Sequence, residues 1–363
     1  MDSFNSSRLV AARQRAKLTK RELAARANLT ERSLAHYEAG RQPSDAALEK
    51  LSQVLGFPIG FFFGPDLRSP SARNASFRSF SRMSSMQRDA ALAAGGIAFA
   101  FSSWIERHFT VPPVAIPDLA GAEPETAADM VRSEWGLGVL PIKNMIHLLE
   151  SRGVRVFSLE EDTREVNAFS SWCAGEIPFI FLNTVKSSES SRFDAAHELG
   201  HLVLHRHGEA KGKQVEAEAN AFASAFLMPR TEMLGTASQC RTLVDVMRIK
   251  KRWNVSAIAL VYRLHKVGAL SEWLYRSLCI EISTQGMRTR ERDSAERETS
   301  LVFKKMFEAM KAQGRGLRNI ASDLRLPVEE LHRLVFGLTA VSLGVTNPNA
   351  RSTAPRGHLH LVR

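Results

Sequence analysis

The residues whose types and spacing can do chemistry lie in Ala195-Ala196-His197-Glu198-Leu199-Gly200-His201. On an α-helix, His197 and His201 differ by about 40° in azimuth and about 6 Å in rise, so both imidazoles leave one face and can share a metal ion. Glu198 stands between them. Two histidine nitrogens on Zn²⁺ with an adjacent carboxylate are the polar part of a hydrolytic site, where the metal brings the pKa of a water down to roughly 7. Glu198 is then the catalytic base. Phe193, Ala196, Leu199, Gly200, Val203 and Leu204 make this helix apolar on several sides, which predicts burial. Buried imidazoles need partners, and one metal ion serves both.

A third ligand must come from elsewhere. His205 continues the series but lies about 12 Å along the axis from His197, too far for both to reach one ion. The run Glu216-Ala-Glu218-Ala-Asn220-Ala-Phe222 reads as a second helix. Glu216 and Asn220 share one face of it, a carboxylate ligand and an amide that can hold the outer N–H of a ligating imidazole. Glu218 points about 200° away from Glu216. Glu216 is the preferred metal ligand and Glu218 the alternative.

Other elements must position these groups. Val154 to Phe157, Ala168 to Trp172 and Phe179 to Asn183 read as short strands, a small antiparallel sheet ahead of the histidine helix. An edge strand beside the metal can pair with an extended peptide, although the pattern does not say which strand is the edge. Pro229 stops the second helix after Met228. Overall the chain reads as α+β, mainly α with a small sheet.

The net charge of +11 favours acidic partners, nucleic acid first. The start of the sequence is polar and shows no secretory signal, and the apolar run at residues 90–101 is too short to span a bilayer. Cys173, Cys240 and Cys279 are widely spaced and read as reduced thiols. A cytoplasmic location and no membrane association are the expectation.

Residues 6–60 read as short helices with sharp punctuation. Thr19-Lys20-Arg21-Glu22 is a capping box, Ala27-Asn28-Leu29 a turn, and Thr30 and Ser44 cap the next two helices. Leu18-Thr19-Lys20-Arg21-Glu22-Leu23-Ala24-Ala25-Arg26-Ala27-Asn28-Leu29-Thr30, followed by Tyr37-Glu38-Ala39-Gly40-Arg41-Gln42-Pro43, resembles the helix-turn-helix domain of the phage-repressor (XRE) family. The resemblance implies double-stranded DNA as a partner. Arg32, Ser33 and His36 would then face base edges, while Lys20, where the family often has Gln, and Arg41 suit phosphates.

A second resemblance covers residues 140–275. Arg192-Phe193-Asp194-Ala195-Ala196-His197-Glu198-Leu199-Gly200-His201-Leu202, Glu216 to Phe222, Leu227-Met228-Pro229 and Ser256 to Leu264 together resemble the ImmA/IrrE metallopeptidase family. It implies a thermolysin-like (gluzincin) domain, a zinc-dependent endopeptidase, and a protein substrate such as a helix-turn-helix repressor in stress response or mobile-element control. Asp194 departs from the neutral residue usual there. Tyr262 is a weak candidate for stabilising an oxyanion. The alternative is a DNA-binding regulator whose metallopeptidase domain senses or binds without cutting. A homodimer is a further expectation.

The organisation so predicted is a helix-turn-helix domain at 1–63, a linker at 64–81, a helical connection at 82–139, the metallopeptidase domain at 140–279, a helical region at 280–343 and a disordered tail at 344–363. Residues 288–298 read as a charged, solvated stretch. Residues 317–338 resemble a second, short helix-turn-helix-like unit. His358 and His360 in the tail read as incidental.

Overall fold

The computed structural model describes residues 3–70, 84–159, 168–207, 212–288 and 290–339. The predicted tail and part of the predicted linker, residues 71–81, lie outside these.

Helices α1 (Ser6–Arg15), α2 (Lys20–Arg26), α3 (Glu31–Glu38) and α4 (Asp45–Leu55) form the amino-terminal bundle. Their starts are set by side chains that satisfy orphan N–H groups: Thr19 and Glu22 make a reciprocal capping box, and Thr30 and Ser44 cap α3 and α4. Asn28 takes a left-handed φ of 50° in the turn between α2 and α3. Leu9, Leu23, Leu34, Leu51, Phe61 and Phe62 close the core.

The 24-residue α5 (Ser85–His108) follows, with α6 (Pro124–Glu134) and α7 (Met145–Ser151). Three strands, β1 (Arg155–Ser158), β2 (Phe169–Cys173) and β3 (Ile177–Leu182), pair in the order β1-β3-β2. The sheet is mixed, not antiparallel as the sequence suggested. β2 and β3 are an antiparallel hairpin, whereas β1 runs parallel to β3 on its other side. The hairpin signal is local, carried by Ala174 and Gly175 at φ 52° and 76°, but the hand of the β1 pairing depends on a crossover that local pattern does not encode.

Helix α8 (Ser188–Leu204) packs on the sheet, and α9 (Lys213–Leu227) packs on α8 and α6, ahead of α10 (Arg230–Gly235), α11 (Leu243–Trp253), α12 (Ala257–Lys266) and α13 (Glu272–Thr284). Gly200 sits at the crossing of α8 and α9. A Cβ there would lie 3.3 Å from the Ala219 backbone and 3.1 Å from Phe222, so only glycine lets the helices approach this closely.

An extended segment then leads to α14 (Leu301–Ala312), α15 (Leu317–Leu324) and α16 (Val328–Val335). Most of this segment is exposed, as its charge suggested, but it is pinned to the neighbouring helices at several points. Glu291 and Glu189 flank the buried Lys250 ammonium at 2.9 and 3.5 Å, Glu189 also accepts from Ser294 and Ala295, and Glu298 pairs with the buried Arg192. Glu291 and Glu298 thus find partners on α11 and α8, information that composition does not contain. In the carboxy-terminal helix-turn-helix-like unit, Leu331, Leu334 and Val335 of α16 are buried, and that helix packs on α5 and β1.

Candidate metal centre and nucleic-acid interface

Both histidines of the motif project from α8, and Glu216 meets them from the first turn of α9. His197 Nε2 and His201 Nε2 are 3.1 Å apart; Glu216 Oε2 lies 3.3 Å from the former and Oε1 3.6 Å from the latter. Four ligands at tetrahedral angles and Zn–N distances of about 2.0–2.1 Å would put neighbouring donors about 3.3 Å apart. Among the described residues these three form the group able to hold a metal ion.

The outer edges of the rings decide which way the lone pairs face. His197 Nδ1 is 3.1 Å from Asn220 Oδ1, and an amide oxygen only accepts, so the proton sits on Nδ1 and the Nε2 lone pair faces inward. His201 Nδ1 is 3.1 Å from His205 Nδ1. Two inward lone pairs and a carboxylate then converge in a nearly dry place, with Glu216 Oε2 buried and, despite its distance from His197, lacking hydrogen-bond geometry. Such an arrangement is repulsive until a cation occupies it. The donor set therefore fits a divalent metal.

The electrostatics agree. Burial works against a charged His197, but the carboxylates of Glu216, Glu198 and Asp194 outweigh it and hold that imidazole above its ordinary value. His201 is held well below, by burial first and then by His197 and His205. The surrounding carboxylates thus favour positive charge at His197, while burial disfavours it on the His201 ring.

Residues 149–265 match the model of the IrrE N-terminal-like domain. Residues 9–62 match a helix-turn-helix family model. The chain thus joins a helix-turn-helix domain to a metallopeptidase-like domain. No curated protein matches the sequence.

Within the IrrE-like domain, Glu198 is buried, and its Oε2 accepts a 2.7 Å hydrogen bond from Ser170 Oγ on β2. Nothing in the sequence marked Ser170, a serine in a strand. Glu218, the alternative ligand, instead lies 2.8 Å from His205 Nε2. Asp194 is paired with Lys186 at 2.6 Å. Tyr262 is half exposed on α12 under the Lys266 ammonium and makes no hydrogen bond to the imidazoles or Glu198.

In the helix-turn-helix domain, Arg32, His36 and Arg41 are exposed, and Ser33 is half-buried with its hydroxyl 2.8 Å from the Thr30 capping hydroxyl. Lys20 is exposed as well. Its ammonium is 2.9 Å from Glu38, which also holds Arg13, so it is not a free cation awaiting phosphate. Among the described residues no helix is long and apolar enough to cross a membrane.

Proposed function

We propose that this protein is a zinc-dependent endopeptidase coupled to a DNA-binding domain, acting on a regulatory protein in stress response or mobile-element control. The convergence of three lone-pair donors beside the buried Glu198 carries this reading. His197, His201 and Glu216 would hold the zinc ion, which when bound would supply a Lewis acid for a peptide carbonyl and for water. Glu198 accepts the proton of the attacking water and returns it to the leaving nitrogen. Ser170 keeps the carboxylate turned toward the sheet edge. The resemblance to the ImmA/IrrE family supports a helix-turn-helix repressor as substrate.

Co-expression with proteins encoded alongside it, followed by mass spectrometry for a new chain terminus, tests the cleavage. Glu198→Gln is expected to lower turnover about 10²–10⁴-fold. Zn²⁺ binding should survive that substitution, and turnover persisting in it would defeat the mechanism. For the amino-terminal domain, Arg32, Ser33 and His36 are assigned to base edges and Arg41 to phosphate, with Lys20 contributing only after it leaves Glu38. Affinity for its own promoter region should fall as salt rises. Arg32→Ala should cost about 1–3 kcal/mol and relax sequence discrimination, measured by fluorescence anisotropy on specific and scrambled duplexes.

A further inference from the structure

His205 is the third histidine on one line of α8, and it closes that helix as its C-cap. It is too far along the axis to share a metal with His197, yet both its ring nitrogens are engaged. Its Nε2 lies 2.8 Å from Glu218 Oε2, and the other oxygen of that carboxylate accepts from Gln214 Nε2 at 3.0 Å. Its Nδ1 lies 3.1 Å from His201 Nδ1.

The proton order along this chain follows from what each atom can do. A carboxylate only accepts, so the His205 proton sits on Nε2 and its Nδ1 presents a lone pair. That lone pair can face His201 Nδ1 only if His201 carries its own proton there. The Nε2 of His201 is then unprotonated and directed at His197 and Glu216. Water could not fill the same role without a channel, because the His201 side chain is only 3% exposed. The two rings are 5.2 Å apart and inclined at 51°, with nitrogen edges facing, which is hydrogen-bonding geometry and not stacking.

We propose that His205 and Glu218 are positioning residues, a relay from the surface of α9 that fixes the tautomer and ring orientation of His201 and so sets the affinity of the centre for its metal. The inference rests on the reading of His197, His201 and Glu216 as the metal ligands. It gives Glu218 a role one hydrogen-bond chain removed from the ion, and it explains why two carboxylates stand two residues apart on α9.

The test is Zn²⁺ affinity of the full-length protein, by competition against a chromophoric chelator. His205→Leu removes the acceptor and should weaken binding about 10–100-fold. His205→Gln offers an amide oxygen to His201 and an amide N–H to Glu218, and should restore affinity to within about threefold of wild type. Glu218→Ala, at a partly exposed position that folding tolerates, should weaken binding severalfold and provides a second measurement should His205→Leu not fold. The proposal is overturned if His205→Leu and Glu218→Ala both bind as tightly as wild type, or if His205→Gln is as weak as His205→Leu, since loss of packing alone would produce the latter. A wild-type protein with no affinity for Zn²⁺ would instead remove the metal centre itself, and the relay with it.

Discussion

Glu150 shows what a single residue does when burial and hydrogen bonding oppose each other. Its carboxyl caps α14 from α7, accepting from Ser300 Oγ and from the N–H groups of Leu301 and Val302 at 2.9 and 3.2 Å. Burial nevertheless pushes it up to about 7, against the pull of those donors and of Arg155. A carboxyl raised in the folded state is still protonated there after the unfolded chain has lost its proton. The unfolded state then binds fewer protons, and stability falls as pH rises from about 4.5 to about 7, by at most roughly 1.4 kcal/mol per pH unit. Thermal unfolding across that window should show this slope, and Glu150→Gln should flatten it. At this scale the sequence was partly legible. The i, i+4 pairs His197/His201 and Glu216/Asn220 could be read because a helical period dictates which residues share a face. Ser170, Glu218 and the Lys20–Glu38 pair could not, since each contact joins positions whose separation in the chain says nothing of their distance in space.

At the level of elements, the metal centre depends on how closely α8 and α9 cross. Gly200 sits at that crossing, one residue before His201, with the Ala219 backbone opposite. Unlike a flexible side chain, backbone cannot turn aside, so Gly200→Ala must push the helices apart by a few tenths of an ångström. The expected cost is about 1–3 kcal/mol of stability, the range for overpacking a close-packed core, together with weaker Zn²⁺ binding as Glu216 withdraws from the imidazoles. Calorimetry with and without Zn²⁺ separates the two effects: a variant whose stability drops while its metal affinity holds would show that the crossing does not govern the centre. The helices and strands themselves were foreseeable from capping boxes, periodicity and proline. Pairing direction in the sheet and the tethering of residues 290–300 were not, because both are settled by partners distant in sequence.

At the scale of the whole molecule, the amino-terminal bundle does more than precede the peptidase-like domain. α1 packs on α5, and the buried Arg15 guanidinium is 2.6 Å from Glu330 on α16. Trp104 on α5 donates to Asp323 on α15 at 3.1 Å, and Gly60 lies close beneath Arg325. The carboxy-terminal hairpin therefore bridges the two ends of the chain. Glu330 also pairs with the partly exposed Arg333 at 2.7 Å, and breaking the buried pair by Glu330→Ala should cost up to about 3–5 kcal/mol, more than replacing both buried partners with Arg15→Met and Glu330→Leu. Chemical denaturation of the two variants beside the wild type would check this, and a double variant as unstable as the single would count against it.

The same bridge bears on where cleavage can happen. Because the bundle is held through α5 and α16, and not solely by the peptide connection, the proposed docking of a helix in the major groove would fix the compass bearing of the candidate metal centre relative to the duplex. A repressor seated on a neighbouring operator would be reached on one side of the double helix and missed on the other. Moving that operator by half a helical turn, about five base pairs, should therefore switch cutting off, and a further half turn should restore it.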